Sequence, residues 1–174
     1  MSVERYGNSA WASTARIMTR NSDGTLHYYF VKLSELPPGL SAGFIDMRSQ
    51  IVTGELAGPR VLGEFSAMLE LYKTMPSIVP TPRGPGKCLD SDDYFFLCDY
   101  VVIDHRQPDP VKLAERVAAL HHISVSPTGQ FGFHVTPYDG KLPLVAKWES
   151  NWVSFYRKLL EGVYKLDIQV NGHW

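Results

Sequence analysis

Residues 25–33 read TLHYYFVKL. In an extended chain, successive side chains point to opposite faces. Leu26, Tyr28, Phe30 and Lys32 therefore share one face, and His27, Tyr29, Val31 and Leu33 share the other. The turn sequence NSDG stands just before this run, with WASTARIMTR at 11–20 ahead of it. Asp23-Gly24 supplies the residue types of a tight hairpin, because glycine accepts positive φ. The expectation is an antiparallel hairpin with Lys32 projecting beside two aromatics at the end of an apolar strand.

The pattern then breaks. Residues 34–58 (SELPPGLSAGFIDMRSQIVTGELAG) are rich in Gly, Pro and Ser and have no clean period. So long a stretch without regular structure is unusual inside a compact domain. Over 59–75, Val61, Phe65, Met68, Leu69 and Tyr72 recur at helical spacing, and Pro59 suits a first helical turn. Glu64 lies beside that stripe. Residues 76–87 read as an extended, proline-punctuated connection. YFFLCDYVV (94–102) reads as a buried strand. Asp109 is expected to cap a helix that starts at Pro110 and runs to about 122, with Leu113, Val117 and Leu120 inward. Residues 126–143 are turn-rich. A last helix begins near Ser150, with Trp152, Phe155, Tyr156, Leu159, Leu160 and Val163 forming a wide apolar stripe. Antiparallel strands followed by a mostly helical segment imply an α+β fold.

Composition narrows the function classes. The 17 basic and 18 acidic side chains give a formal net charge of -1, so nothing calls for a polyanionic partner and nucleic-acid binding is not expected. Cys88 and Cys98 form no CxxC or other metal-ligand pattern, and a reduced, cytoplasmic protein is the plain expectation. The first residues lack the apolar core of a signal peptide, and no run of 18 apolar residues predicts a membrane span.

Two residues in this order suggest phosphoryl-transfer chemistry. Kinase-type sites hold positive charge near the phosphates with a strand-borne lysine paired to a helix-borne glutamate. Lys32 and Glu64 have that order and those elements. Taken singly, a lysine at a strand end is commonly a solvated edge residue, and a helical glutamate is commonly a surface charge. The strand ending Cys98-Asp99-Tyr100-Val101 reads equally as a nucleotide-binding hinge or as a buried strand with a polar end.

Several segments taken together carry a resemblance: YYFVK, GEFSAMLELYKTMPSIVPTP, YFFLCDYV, LAERVAALHHISVSPTGQFGFHVTPYDGKLP and a W-x3-W-x2-F segment. Over roughly 6–33 and 59–166 the chain resembles the fructosamine/ketosamine-3-kinase family, particularly its fungal protein-ribulosamine 3-kinase-like members. The resemblance implies a protein-kinase-like fold, with an N-terminal lobe over 1–102 and the beginning of a helical C-terminal lobe over 103–174. It implies ATP and Mg2+ as cofactors. It implies phosphorylation of the sugar 3-hydroxyl of ketosamine adducts, on glycated protein or on small ketosamines, as a deglycation repair. By the same resemblance, Lys32 contacts the nucleotide phosphates and Glu64 is its ion-pair partner. Cys98 stands behind the adenine, while the Asp99 carbonyl and Val101 amide meet its edge. Residues 7–13 lie near the phosphate-covering turn, without a GxGxxG pattern.

The chain also departs from the family. It contains no His-Gly-Asp run, so the catalytic loop and metal-binding aspartate are expected to be absent. Asp104-His105-Arg106 comes too early to be that loop and reads as a polar linker. Phe131-Gly132 follows Gln130, which cannot supply an anionic metal ligand. His121 and His122 at a helix end suit a cap or surface role. Residues 34–58 read as an irregular insertion, of the kind an unspliced intron would leave. The alternatives to an enzyme are a catalytically silent nucleotide- or protein-binding fragment, and a truncated product with no independent function.

Overall fold

The computed structural model describes residues 1–7, 13–33, 57–89, 91–103, 106–140 and 142–172. Five strands form one antiparallel sheet: β1 (Ser2–Arg5), β2 (Ser13–Arg20), β3 (Leu26–Leu33), β4 (Pro82–Lys87) and β5 (Tyr94–Asp99), in the order β1-β2-β3-β5-β4. The predicted hairpin is β2–β3. Gly24 turns it at φ +87°, and its amide donates to the Asn21 carbonyl at 3.0 Å. Strand β1 was not predicted. It pairs along β2 from Ser2 opposite Met18 to Arg5 opposite Ala15, and all four of its residues are exposed.

Helix α1 (Ala57–Thr74) lies on one face of the sheet. Val61, from the predicted stripe, packs with Phe96 and Cys98 of β5, each 2% exposed. Phe30, Phe65, Met68 and Tyr94 close around them. Lys32 sits opposite Phe96 and Phe30 opposite Cys98, so the Lys32 face of β3 is the face that α1 covers. Of the insertion expected at 34–58, only 57 and 58 are described, and they open α1; the rest lies outside the described residues.

Two expectations about strands need correction. The connection expected over 76–87 contains the edge strand β4, PRGPGK. Proline cannot donate a ladder bond and is tolerated only at such an edge, so its residues read as turn. The strand expected over 94–102 stops at Asp99. The last rung is the Tyr100 amide to the Tyr28 carbonyl at 3.1 Å, and Val101, Val102 and Ile103 beyond it are exposed.

Helix α2 (Pro110–Ile123) begins as expected. Asp109 Oδ1 accepts from the Val111 amide at 2.9 Å and from the Lys112 amide at 3.4 Å. Its predicted inner face is not buried, because Leu113 and Val117 are exposed. What ties α2 to the segment after α1 is polar: Arg116 Nη1 donates to the Ser77 carbonyl at 3.1 Å. After the short pair β6 (Tyr138–Asp139) and β7 (Leu142–Pro143) comes α3 (Trp152–Asn171), capped by Asn151. Trp152, Tyr156, Leu160 and Val163 of its stripe are exposed, while Phe155 and Leu159 are half-buried.

The turn-rich segment and the residues after it are tied to α3 and to α1. Phe131 and Glu149 exchange two main-chain hydrogen bonds of 2.8 Å, and Val145 packs where Gly162 of α3 has no side chain. On α1, a Cβ at Gly63 would stand 2.6 Å from the Thr136 carbonyl oxygen. Helix and loop can meet there only because residue 63 is glycine. Gly63→Ala is expected to cost about 1–3 kcal/mol by overpacking, despite alanine's better helix propensity. Urea unfolding checks this; a stabilised variant would contradict the docking.

Candidate nucleotide site

The centre of the site is an ion pair between sheet and helix. Lys32, next to last in β3, has its Nζ 2.8 Å from both Glu64 oxygens. Strand alternation aims Lys32 at α1, and Glu64 stands one helical turn after the buried Val61. The side chains are 28% and 44% exposed, so the pair contributes only about 0–1 kcal/mol of stability. What it fixes is where an ammonium group sits.

A cleft of roughly 360 Å³ opens beside the pair, between β3, α1 and the loop at 137–140. Arg60, Val61, Phe96 and Tyr138 line it together with Lys32 and Glu64. Two of these, Arg60 and Tyr138, were not singled out in the sequence. Arg60 sits one turn before Glu64 on the same helix, a spacing that could have marked it. Tyr138 arrives through the loop that docks at Gly63, which no local periodicity reveals.

The other expected site residues lie along β5. Asp99 is three residues beyond Phe96, the residue opposite Lys32, so roughly 10 Å of strand separates the two positions. Its amide donates to the Thr81 carbonyl at 2.9 Å. Its side chain turns to the sheet face opposite α1, where Arg83 Nε and Nη2 each reach it at 2.7 Å and His27 Nε2 at 3.1 Å. Val101 is exposed just past the sheet. Cys98 is in the core, and burial, then the negative charges of Asp99 and Glu64, push its thiol up to about 11. It therefore stays a protonated packing group at neutral pH.

The structure also gathers residues that pattern reading passed over. The Tyr100 ring meets Tyr6 edge-on at 5.0 Å, and the Arg16 guanidinium lies 5.4 Å from the Tyr100 ring and 5.5 Å from the Tyr28 ring. Arg16 is itself bound by Glu4 at 2.5 Å. Of the expected phosphate-covering turn, Gly7 and Ser13 are described and 8–12 lie outside the described residues. Asp104 and His105 also lie outside them. Phe131-Gly132 forms the bridge to Glu149, with Gly132 at φ +155° against the Trp148 backbone, so it acts as a packed turn. His121 and His122 are exposed in the last turn of α2. Among the described residues there is no group of three His, Cys, Asp or Glu placed to hold a metal ion, and no helix long and apolar enough to cross a membrane.

The Arg83 guanidinium, aided by His27 and Thr81, holds the Asp99 carboxyl below the usual carboxylate range. A depressed folded pKa gives stability that is complete above the unfolded value, about 3.9, and is lost as pH falls through the folded value. Asp99→Asn is expected to lower stability at pH 7 by about 1 kcal/mol. Its deficit should shrink below about pH 4, where the wild type loses the same interaction. Thermal melts at neutral and acid pH check this; a gap that stays constant down to the lowest pH would contradict it.

Comparisons with known proteins bear on the family and the fold. The sequence profile of the fructosamine kinase family matches residues 59–168. Two crystal structures of proteins assigned as fructosamine-3-kinases share the fold. The one from Thermobifida fusca YX-ER1 has a TM-score of 0.55 at 24% identity over 91% of this chain. The one from Haemophilus somnus 129PT has a TM-score of 0.52 at 16% identity, also over 91%. This chain spans about half of each, 46% and 45% of their lengths. No match is found among curated proteins. With its kinase-like α+β architecture and a profile match over most of its length, the chain belongs to the fructosamine kinase family.

Proposed function

We propose that this chain forms the nucleotide-binding end of an ATP-dependent phosphotransferase of the ketosamine-3-kinase type. The observation that carries the reading is the Lys32–Glu64 pair at 2.8 Å, set at the wall of a cleft between sheet and helix. A lysine fixed by a carboxylate presents an oriented point charge to phosphate oxygens and need not be reorganised when they arrive. The cleft has room for a phosphate group beside that charge. In this reading residues 1–102 are the N-terminal lobe and 103–174 open the helical C-terminal lobe. Lys32 holds the phosphates, and the Asp99 carbonyl and Val101 amide meet the edge of an adenine ring. ATP, when bound, supplies the phosphoryl group. Mg2+ belongs to the family's chemistry, but the described residues offer it no ligand cluster.

The acceptor in this reading is the 3-hydroxyl of a ketosamine such as a fructosyl- or ribulosyl-lysine adduct, on a protein or as a small molecule. Its support is family membership. A cytoplasmic setting fits Cys88 and Cys98, which form no disulfide. A second reading is a nucleotide-binding module without turnover.

Lys32→Met is expected to weaken ATP binding by about 10- to 100-fold, the worth of a charge-assisted contact. Titration of the purified chain measures it, and unchanged affinity would sink the nucleotide reading. A phosphorylation assay on fructosyl- and ribulosyl-lysine separates the two readings, because only the phosphotransferase turns over.

A further inference from the structure

The Asp99 carboxylate collects more partners than the end of a short strand needs. Arg83 makes a fork-to-fork contact through Nε and Nη2, at 2.7 Å each. His27 Nε2 adds a third contact at 3.1 Å from β3. The arginine arrives by an irregularity. Pro82 pairs with Cys98 and Gly84 with Leu97, so Arg83 is an extra residue, a β-bulge on the edge strand. Bulges re-aim side chains, and this one turns a guanidinium back onto the strand end.

The main chain is pinned at the same place. The Asp99 amide is held by the Thr81 carbonyl and the Tyr100 amide by the Tyr28 carbonyl, at 2.9 and 3.1 Å. One residue later, Val101 is exposed and outside the sheet. All of the side-chain contacts lie on the face opposite α1, because Asp99 alternates with the core residue Cys98. They cannot touch a ligand in the cleft. Their influence on one must pass through the Asp99 backbone.

We infer that Arg83 and His27 are positioning residues that clamp Asp99 from behind the sheet, and so set the selectivity of the Asp99–Val101 segment for an adenine over a guanine ring. This rests on the nucleotide reading above. A main-chain carbonyl held in place accepts the amino group of adenine. Guanine offers an oxygen at that position, acceptor against acceptor, and is rejected only if the carbonyl cannot move aside. A loose segment would keep phosphate binding and lose the discrimination.

The test titrates the 174-residue chain with ATP, GTP and inorganic tripolyphosphate, each with magnesium. Wild type, Arg83→Met, Arg83→Lys and His27→Gln are compared. The wild type should prefer ATP. In Arg83→Met the ATP-to-GTP preference should fall about tenfold, as loss of a charge-assisted contact predicts, with tripolyphosphate affinity unchanged. Arg83→Lys keeps the charge without the fork and should fall between the two; His27→Gln should shift the preference less than Arg83→Met, in the same direction. An unchanged preference in folded Arg83→Met overturns the inference. So does an equal loss for all three ligands, which would mark the clamp as a staple of the sheet alone. Should Arg83→Met not fold, an unchanged preference in His27→Gln overturns it. Failure of the underlying reading looks different: the wild type then binds none of the three, or binds them independently of Lys32, and the clamp falls with it.

Discussion

Burial of two side chains of β5, Phe96 and Cys98, against α1 is the constraint on which the site depends. Alternation along one strand cannot be altered locally. With Phe96 and Cys98 turned to the helix, Leu97 and Asp99 must face away. The β3–β5 register then aligns Lys32 with Phe96 and brings its ammonium under α1. The same alternation sends the Asp99 carboxylate to the other face, where Arg83 and His27 meet it. One apolar contact thus positions two polar clusters on opposite sides of the sheet. Replacing Phe96 with alanine would remove the largest group in that contact, at about 3–5 kcal/mol, and disturb both.

The two clusters differ in exposure as well as place. The Lys32–Glu64 pair is half open to solvent, and adds little stability for the charge that it orients. The Asp99 cluster is better shielded on the carboxylate side, and Arg83 binds there in the bidentate geometry that fixes direction as well as distance. In the nucleotide reading proposed above, the more exposed pair stands at the phosphate end and the bidentate one behind the base end.

Where one period dominates a segment, the sequence was easy to read. TLHYYFVKL, the Val61–Phe65–Met68 stripe and the Asp109-Pro110 cap all produced the elements they signal. Lys32 and Glu64 could be paired from element order and family likeness, although neither residue alone said so. The failures have physical causes. SVER in β1 has no buried face to mark it. PRGPGK in β4 is spelled in turn residues that only an edge strand tolerates. The periodicity of α2 predicted a burial that its surroundings do not supply. The role of the Asp99 side chain depends on a one-residue bulge, and a bulge appears only when two strands are aligned. Segment 34–56, where the pattern also failed, lies outside the described residues.

Gly63 is the residue before Glu64, and its missing side chain is what admits the Thr136 carbonyl. Helix and loop therefore share a pivot one residue from the carboxylate that holds Lys32. A rotation of α1 large enough to carry Glu64 away would drive the helix backbone against that carbonyl or pull it off. The helix that carries the glutamate thus rests, at the neighbouring residue, on a segment more than 60 residues downstream, near 136–140, which also lines the cleft.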